Sequence, residues 1–282
     1  MTDIYGILGF PVGHSRSPAM HNSAFAELGI DAMYVPFAVP PERLRAAIAS
    51  IRPLNLRGLN VTLPHKTNVI PLLDRVEPDA LTIGAVNTLF FEQDKLVGMN
   101  TDAPGLTRSL LEAGLQLQGS RVTVIGAGGA ARASVVGLAR AGASRICITA
   151  RRNHEAEKLV VELSAAVAPA LLRVEAWERA AHRRCLGETD LLIQATSATL
   201  DNGPAAAALA EALPLDALPD AAAVVDLVYK PRETTVLKGA KELRKQTVDG
   251  LGMLLHQGAI AFEKWTGRTA PVKVMRAALD TP

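Results

Sequence analysis

Two polar residues in this chain could move a proton. Lys66 closes the run Gly58-Leu59-Asn60-Val61-Thr62-Leu63-Pro64-His65-Lys66, and Asp102 closes Gly98-Met99-Asn100-Thr101-Asp102. A lysine and a carboxylate, each ending a turn-rich segment in an apolar chain, form a candidate acid/base pair. Behind Pro64, Lys66 is expected in the first turn of a helix, where the positive end of the dipole opposes an ammonium and an aspartate partner offsets it. Taken alone, either residue would be an ordinary solvated charge. A loop near the amino end, Gly9-Phe10-Pro11-Val12-Gly13-His14-Ser15-Arg16-Ser17-Pro18, carries two serines two residues apart. In an extended loop both hydroxyls point the same way and could hold one carboxylate. The competing expectation has Ser17 as helix N-cap, with Pro18 at the first helical position and Ser15 in solvent.

The elements that position these residues follow the hydrophobic pattern. In the first hundred residues, β-type runs at 4–9, 33–39 and 58–62 alternate with helical stretches at 18–28 and 41–50, which predicts βα units and a largely parallel sheet. A second unit starts after Asp102 with a connecting helix at 104–113 and a buried strand, Arg121-Val122-Thr123-Val124-Ile125. That strand runs into Gly126-Ala127-Gly128-Gly129-Ala130-Ala131-Arg132 and a helix of small residues, with further strands expected at 146–150, 191–195 and 224–228. Near the end, Leu251, Leu254, Leu255, Ala259 and Phe262 repeat at helical spacing and predict a long helix over 250–266. Such a terminal helix could return to the first half and aim Gln257 at a ligand there. The expected architecture is a two-domain α/β chain: a substrate domain over 1–103, a dinucleotide-binding Rossmann domain over 104–238, and C-terminal helices over 239–282 packing back on the substrate domain.

A strand before the glycine turn and a helix after it make this pattern informative. Gly126 permits the tight turn, Gly128 lets backbone approach a pyrophosphate, and Ala131 takes the place of a third glycine where helix meets strand. About twenty residues further on, where NAD-binding chains place an acidic residue, this chain has Ala150-Arg151-Arg152-Asn153. Planar guanidiniums there suit a 2′-phosphate, so NADP is expected, with NAD as the alternative.

Composition narrows the partners. The 282 residues are 49% apolar and 21% charged, and 30 basic against 28 acidic residues give a net charge of +2 with the signs interspersed. That pattern offers nucleic acid no basic stripe. No apolar stretch approaches the roughly 20 residues that span a bilayer, and no basic-then-apolar leader opens the chain, so a cytoplasmic enzyme with no membrane partner is expected. The two cysteines, Cys147 and Cys185, form no disulfide framework, Cys147 reads as a small buried hydrophobe, and the six histidines lack ligand spacing, so no metal is expected. Monomer and homodimer remain equally open.

Together these segments resemble the shikimate dehydrogenase family in nearly collinear order. The matching stretches are His14 to Pro18 with His21-Asn22, Asn60 to Lys66, Gly84-Ala85-Val86-Asn87-Thr88, Asn100-Thr101-Asp102, the glycine turn, Asp226-Leu227-Val228-Tyr229, and Asp249-Gly250-Leu251-Gly252-Met253-Leu254 leading to Gln257. The resemblance implies reversible, NADPH-dependent reduction of 3-dehydroshikimate in chorismate and aromatic amino acid biosynthesis, with Lys66 and Asp102 as the catalytic pair. It implies that Ser15, Ser17, Thr62, Asn87, Asp102, Tyr229 and Gln257 contact shikimate. Nucleotide contacts would fall on Gly126, Ala127, Gly128, Gly129 and Ala130, on Ala150, Arg151 and Arg152, and on Leu227 and Gly250 beside the nicotinamide. The chain departs from the family pattern at Ala150-Arg151-Arg152 and at Gln194-Ala195-Thr196-Ser197-Ala198-Thr199-Leu200, both in the nucleotide half. Two rivals follow: a quinate or quinate/shikimate dehydrogenase using NAD or NADP, and a non-catalytic regulatory protein that binds shikimate.

Overall fold

The computed structural model describes residues 2–281 and divides the chain into two units, Met1–Gly105 with Leu254–Pro282, and Leu106–Met253. In the first unit, β1 (Asp3–Gly9), α1 (Ser17–Glu27), β2 (Ala32–Ala38), α2 (Leu44–Ser50) and β3 (Leu56–Val61) follow the alternation expected from the sequence. A short strand β4 (Arg75–Val76), a helix α3 (Pro78–Ile83) and a hairpin of β5 (Thr88–Glu92) and β6 (Lys95–Met99) complete it, with α4 (Asp102–Glu112) leading out. The sheet order is β2-β1-β3-β5-β6-β4. β1 pairs in parallel with β2 and β3, while β5 is antiparallel to both β3 and β6.

One side of this sheet is closed by aliphatic packing of Leu8, Ile48, Ile51, Leu59, Val69 and Leu89. Rings gather elsewhere in the unit: Tyr5, His21, Phe25, Tyr34, Phe262 and Trp265 stack or tilt against one another at centroid separations of 4.4 to 6.3 Å. Trp265 donates its indole N–H to the carbonyl of Leu89 at 2.9 Å, tying the terminal helix to the hairpin. His21 is fully buried among these rings, neither ring nitrogen has a hydrogen-bond partner among the described residues, and burial lowers its pKa to about 3.

The second unit contains β7 (Arg121–Ile125), α5 (Gly129–Arg140), β8 (Arg145–Thr149), α6 (Asn153–Leu163), β9 (Leu171–Val174), α7 (Arg179–Leu186), β10 (Leu191–Gln194), α8 (Pro204–Ala212), β11 (Ala223–Asp226), α9 (Thr235–Glu242) and β12 (Gln246–Val248). Its strands run in the order β12-β11-β10-β7-β8-β9, all parallel. This is a doubly wound sheet whose strand order reverses between β7 and β10, the place where such sheets bind ligands. Near-continuous apolar strands fit its two-sided burial: Val122, Val124, Ile146, Ile148, Leu192, Ile193 and Val224 are each at most 2% exposed.

Helix α10 (Leu251–Thr266) brings the chain back to the first unit, and α11 (Val272–Asp280) ends it. Three expectations need correction. The nucleotide half extends past 238, because β12 completes the second sheet before the chain returns at Leu254. Lys66 is not on a helix, since residues 62–69 form a succession of turns. Ser17 caps nothing: it is the first residue of α1, whose N-cap position is Arg16 with no side-chain cap bond. Among the described residues, no helix is long and apolar enough to cross a membrane.

Candidate active site

Lys66 lies in a loop fixed by main-chain bonds from distant segments. The Val86 amide donates to the Lys66 carbonyl at 2.8 Å, and the Thr62 amide donates to the Leu8 carbonyl at 2.9 Å. Fully buried His65 places its Nε2 2.7 Å from the carbonyl of Val39. These ties hold the loop open where Pro64 suggested a helix start. The first turn of a helix is instead occupied by Asp102, a favourable place for a carboxylate.

Asn100 sets that helix start. Its Oδ1 accepts from the amides of Asp102 and Ala103 at 3.0 and 3.2 Å, while its Nδ2 donates to the Ala85 carbonyl at 2.9 Å. An asparagine accepting from amides at a helix start is a capping pattern visible in the sequence, which would have drawn attention to this residue.

Lys66 Nζ donates to Asp102 Oδ2 at 2.6 Å, a short charge-assisted hydrogen bond. The lysine side chain is 16% exposed and the aspartate 5%, so the pair is nearly dry. Asn87 Nδ2 donates to the other carboxylate oxygen at 2.8 Å and to Thr101 Oγ1 at 2.9 Å, with Gln257 Oε1 3.3 Å away. Asn87 Oδ1 accepts from the Thr101 amide at 2.7 Å. Both oxygens of Asp102 are therefore satisfied and the carboxylate is held rigid. An ammonium has three hydrogens, and among the described residues only Asp102 takes one, leaving donor capacity for a ligand oxygen.

Gly105 brings Gln257 to this cluster. A Cβ at Gly105 would sit 2.7 Å from the amide nitrogen of Gln257, so only glycine lets α4 and α10 approach this closely. The structure thus joins four expected site residues: Lys66, Asp102, Asn87 and Gln257. Ser15, Ser17 and Thr62 lie in the same unit, but no hydrogen bond among the described residues links their side chains to the pair. Ser15 Oγ accepts from the Ser17 amide at 3.2 Å, so Ser15 serves the helix start where Ser17 was the candidate cap. Tyr229 belongs to the second unit, in the loop after β11.

The nucleotide-side residues are organised through backbone. Gly126 adopts φ +115°, open to few residues other than glycine, and its amide donates to the Thr149 carbonyl at 2.8 Å. Gly128, at the N-cap position of α5, has no side-chain cap, and a Cβ there would meet nothing within 4 Å. An exposed glycine before uncapped amides at a helix start is a cradle for phosphate. After β8, Ala150 is buried, while Arg151 and Arg152 are exposed, and Arg152 is only loosely paired, 3.6 Å from Glu155. These residues fit a nucleotide carrying a 2′-phosphate. A Cβ at Gly250 would lie 2.2 Å from the Leu227 carbonyl, so these two expected nicotinamide neighbours are packed together.

A second network in this unit was not foreseen. Buried Asp226 accepts from Gln194 Nε2 at 3.2 Å, Thr199 Oγ1 at 3.2 Å, Thr234 Oγ1 at 2.8 Å and the Val228 amide at 3.0 Å. Burial pushes its carboxyl pKa up, against the lowering effect of these bonds. Gln194 also accepts from the Thr196 amide at 2.6 Å, so its departure from the family pattern still shapes the loop after β10. The clue in the sequence was Asp226 ending an otherwise apolar strand.

A doubly wound parallel sheet with a glycine phosphate turn, and a separate buried lysine–aspartate pair, define a nucleotide-dependent α/β oxidoreductase. Comparison with known proteins gives the particular family. Residues 7–89 match the shikimate dehydrogenase substrate binding domain, 107–251 the shikimate / quinate 5-dehydrogenase domain and 250–279 the shikimate 5'-dehydrogenase C-terminal domain. Shikimate dehydrogenase (NADP(+)) of Symbiobacterium thermophilum is 45% identical over 278 residues, covering 98% of this chain and 92% of that one. Shikimate 5-dehydrogenase from Listeria monocytogenes, solved with shikimate and NAD, superposes with a TM-score of 0.87 at 36% identity, over 99% of this chain and 96% of the other. Quinate dehydrogenase from Corynebacterium glutamicum, solved with NAD, reaches 0.86 at 28% identity, over 98% of each chain. The chain belongs to the shikimate dehydrogenase family.

Proposed function

We propose that this chain catalyses the reversible NADPH-dependent reduction of 3-dehydroshikimate to shikimate, with Lys66 and Asp102 as its catalytic pair. The observation carrying this reading is the 2.6 Å Lys66–Asp102 bond inside a network that satisfies both carboxylate oxygens and leaves ammonium hydrogens for a ligand. When bound, NADPH supplies the hydride that reduces the ring ketone. The chain must then protonate an oxygen that gains negative charge. Lys66 stabilises that oxygen and delivers a proton to it, while Asp102 keeps the ammonium oriented; general acid catalysis of this kind contributes about 10² to 10⁴ in rate. In the oxidative direction Lys66 takes the proton from the hydroxyl. Asn87 and Gln257 position the substrate beside the pair, Ser15 and Ser17 hold its carboxylate, and Thr62 and Tyr229 take its remaining polar groups.

On the nucleotide side the proposal assigns phosphate contacts to Gly126, Ala127, Gly128, Gly129 and Ala130. Ala150, Arg151 and Arg152 hold the 2′-phosphate, and Leu227 with Gly250 flank the nicotinamide. The proposal further takes the enzyme to be cytoplasmic, a monomer or homodimer acting on a small-molecule substrate, in aromatic amino acid biosynthesis.

A second reading, quinate oxidation with NAD, is favoured by the likeness to the quinate dehydrogenase and by Glu155, which lies close enough to Arg152 to draw on its charge. Steady-state rates for shikimate and quinate, each with NADP and NAD, separate the two. The proposal expects the highest kcat/KM for shikimate with NADP, and a higher value for quinate would overturn it. Shikimate binding with no absorbance change at 340 nm would mark a non-catalytic regulator.

A further inference from the structure

The two cysteines stand apart from the mechanism, and Cys147 was expected to be a small buried hydrophobe. Both are buried, at 2% and 3% exposure, but polar groups lie against their sulfurs. Thr123 of β7, Cys147 of β8 and Arg173 of β9 are register partners and form one row across the parallel sheet. Helix α7 brings Cys185 to this row: its Sγ lies 3.3 Å from Thr123 Oγ1 and 3.9 Å from Arg173 Nη2. The two sulfurs and a carboxylate oxygen of Glu175 all lie within 4.8 Å of one another. Arg173 Nε, buried and without a hydrogen-bond partner among the described residues, is a further unused donor at this site. Thr123 is itself held by Thr189 at 2.6 Å, so the polar row is fixed at both the sheet and the end of α7.

We propose that Cys147 and Cys185 form an oxidisable dithiol, a redox modification site in which Cys185 is the attacking sulfur and Cys147 the resolving one. The neighbours divide the roles. The Cys147 sulfhydryl and the Arg173 guanidinium, whose Nη2 lies 3.9 Å from Cys185 Sγ, draw the Cys185 pKa down against the effect of burial. The same sulfur contact and burial raise the pKa of Cys147, which keeps its proton. A guanidinium near the sulfurs favours thiolate and opposes a divalent cation, and Glu175 is already 3.6 Å from Arg184, so the site suits oxidation better than metal binding.

The oxidant is a peroxide. Cys185 thiolate attacks one peroxide oxygen, forming an S–O bond and breaking the O–O bond, and hydroxide leaves to become water. Cys147 then loses its proton and attacks the sulfenic sulfur, forming S–S and releasing the oxygen as a second water. The two thiols lose two electrons and the peroxide gains them. Cys147 resolves the sulfenic acid within the same chain, so no partner thiol is needed.

The test treats the full-length protein with hydrogen peroxide and measures intact mass after denaturation without reductant. The expected result is a monomer lighter by two hydrogens, restored by dithiothreitol. In Cys147→Ser the mass loss disappears and dimedone labels Cys185. Cys147 in Cys185→Ser reacts with peroxide at least about tenfold more slowly than Cys185 in Cys147→Ser. Circular dichroism confirms that both variants are folded, and the wild-type measurement stands without them. Two free thiols after treatment, a disulfide-linked dimer, or equal reactivity of the two sulfurs would overturn the proposal. So would one-to-one cadmium binding that blocks both thiols in protein that forms no disulfide.

Discussion

The two polar sites of this chain are built by opposite means. Around Asp102, side chains from separate stretches of sequence converge: Lys66 and Asn87 each bond the carboxylate, Gln257 lies 3.3 Å from Asn87, and little of the pair is exposed. Around Gly126 the elements are main-chain: a positive-φ turn, an uncapped helix start and two exposed arginines with slack contacts. A network of dry, mutually satisfied groups recognises one ligand geometry and tolerates little change, because each loss strands a buried partner. A backbone cradle suits any pyrophosphate, and exposed side chains are the proposed readers of the nucleotide.

Substitutions can break or sharpen this contrast. Lys66→Ala is expected to lower kcat about a thousandfold while leaving shikimate binding largely intact, the pattern for losing an acid/base group. Steady-state kinetics with a binding titration checks it, and near-wild-type turnover would remove Lys66 from the mechanism. Replacing Arg151 and Arg152 together with alanine should raise KM for NADPH by about 10- to 100-fold and leave KM for NADH nearly unchanged, since each lost phosphate contact is charge-assisted. Equal changes for the two nucleotides would mean that the arginines do not read the 2′-phosphate.

A third effect concerns stability and the packing in the substrate unit. The folded-state pKa of His21, about 3, lies below its unfolded value near 6.5, so its neutral form is the one that folding favours. Its stabilising contribution is complete above about pH 6.5 and is lost as pH falls toward 3, at up to about 1.4 kcal/mol per pH unit. His21→Phe, which keeps a ring against Tyr34, should flatten the fall in stability between pH 6 and 4. Urea midpoints across that range give the slope, and an unchanged slope would show that His21 does not titrate with unfolding.

Much of this was legible because periodicity and glycine placement follow local rules. Strands β7, β8, β10 and β11, the turn at Gly126 and helix α10 fall where apolar runs and glycines put them, while β9 was not expected. The hairpin of β5 and β6 was not expected, because its turn uses Gln93 and Asp94 at positive φ where glycine or asparagine would have announced it. Strand β12, three residues long, is too short for a pattern to show. At Lys66 the local signal for a helix start was overruled by a bond from elsewhere, the Val86 amide. At Ser17 the helix does start, one residue earlier than expected, with the Ser15 hydroxyl accepting from the Ser17 amide. The polar network around Asp226 depended on side chains meeting across β10, β11 and α9, which no single window of sequence contains.

The central claim is that Lys66 and Asp102 act as one unit. A double-mutant cycle on kcat, using Lys66→Ala, Asp102→Asn and the double variant, tests it most directly. If each group works only through the other, the double variant falls no further than the more impaired single variant. Losses that multiply would contradict the claim and make the 2.6 Å bond between them incidental to turnover.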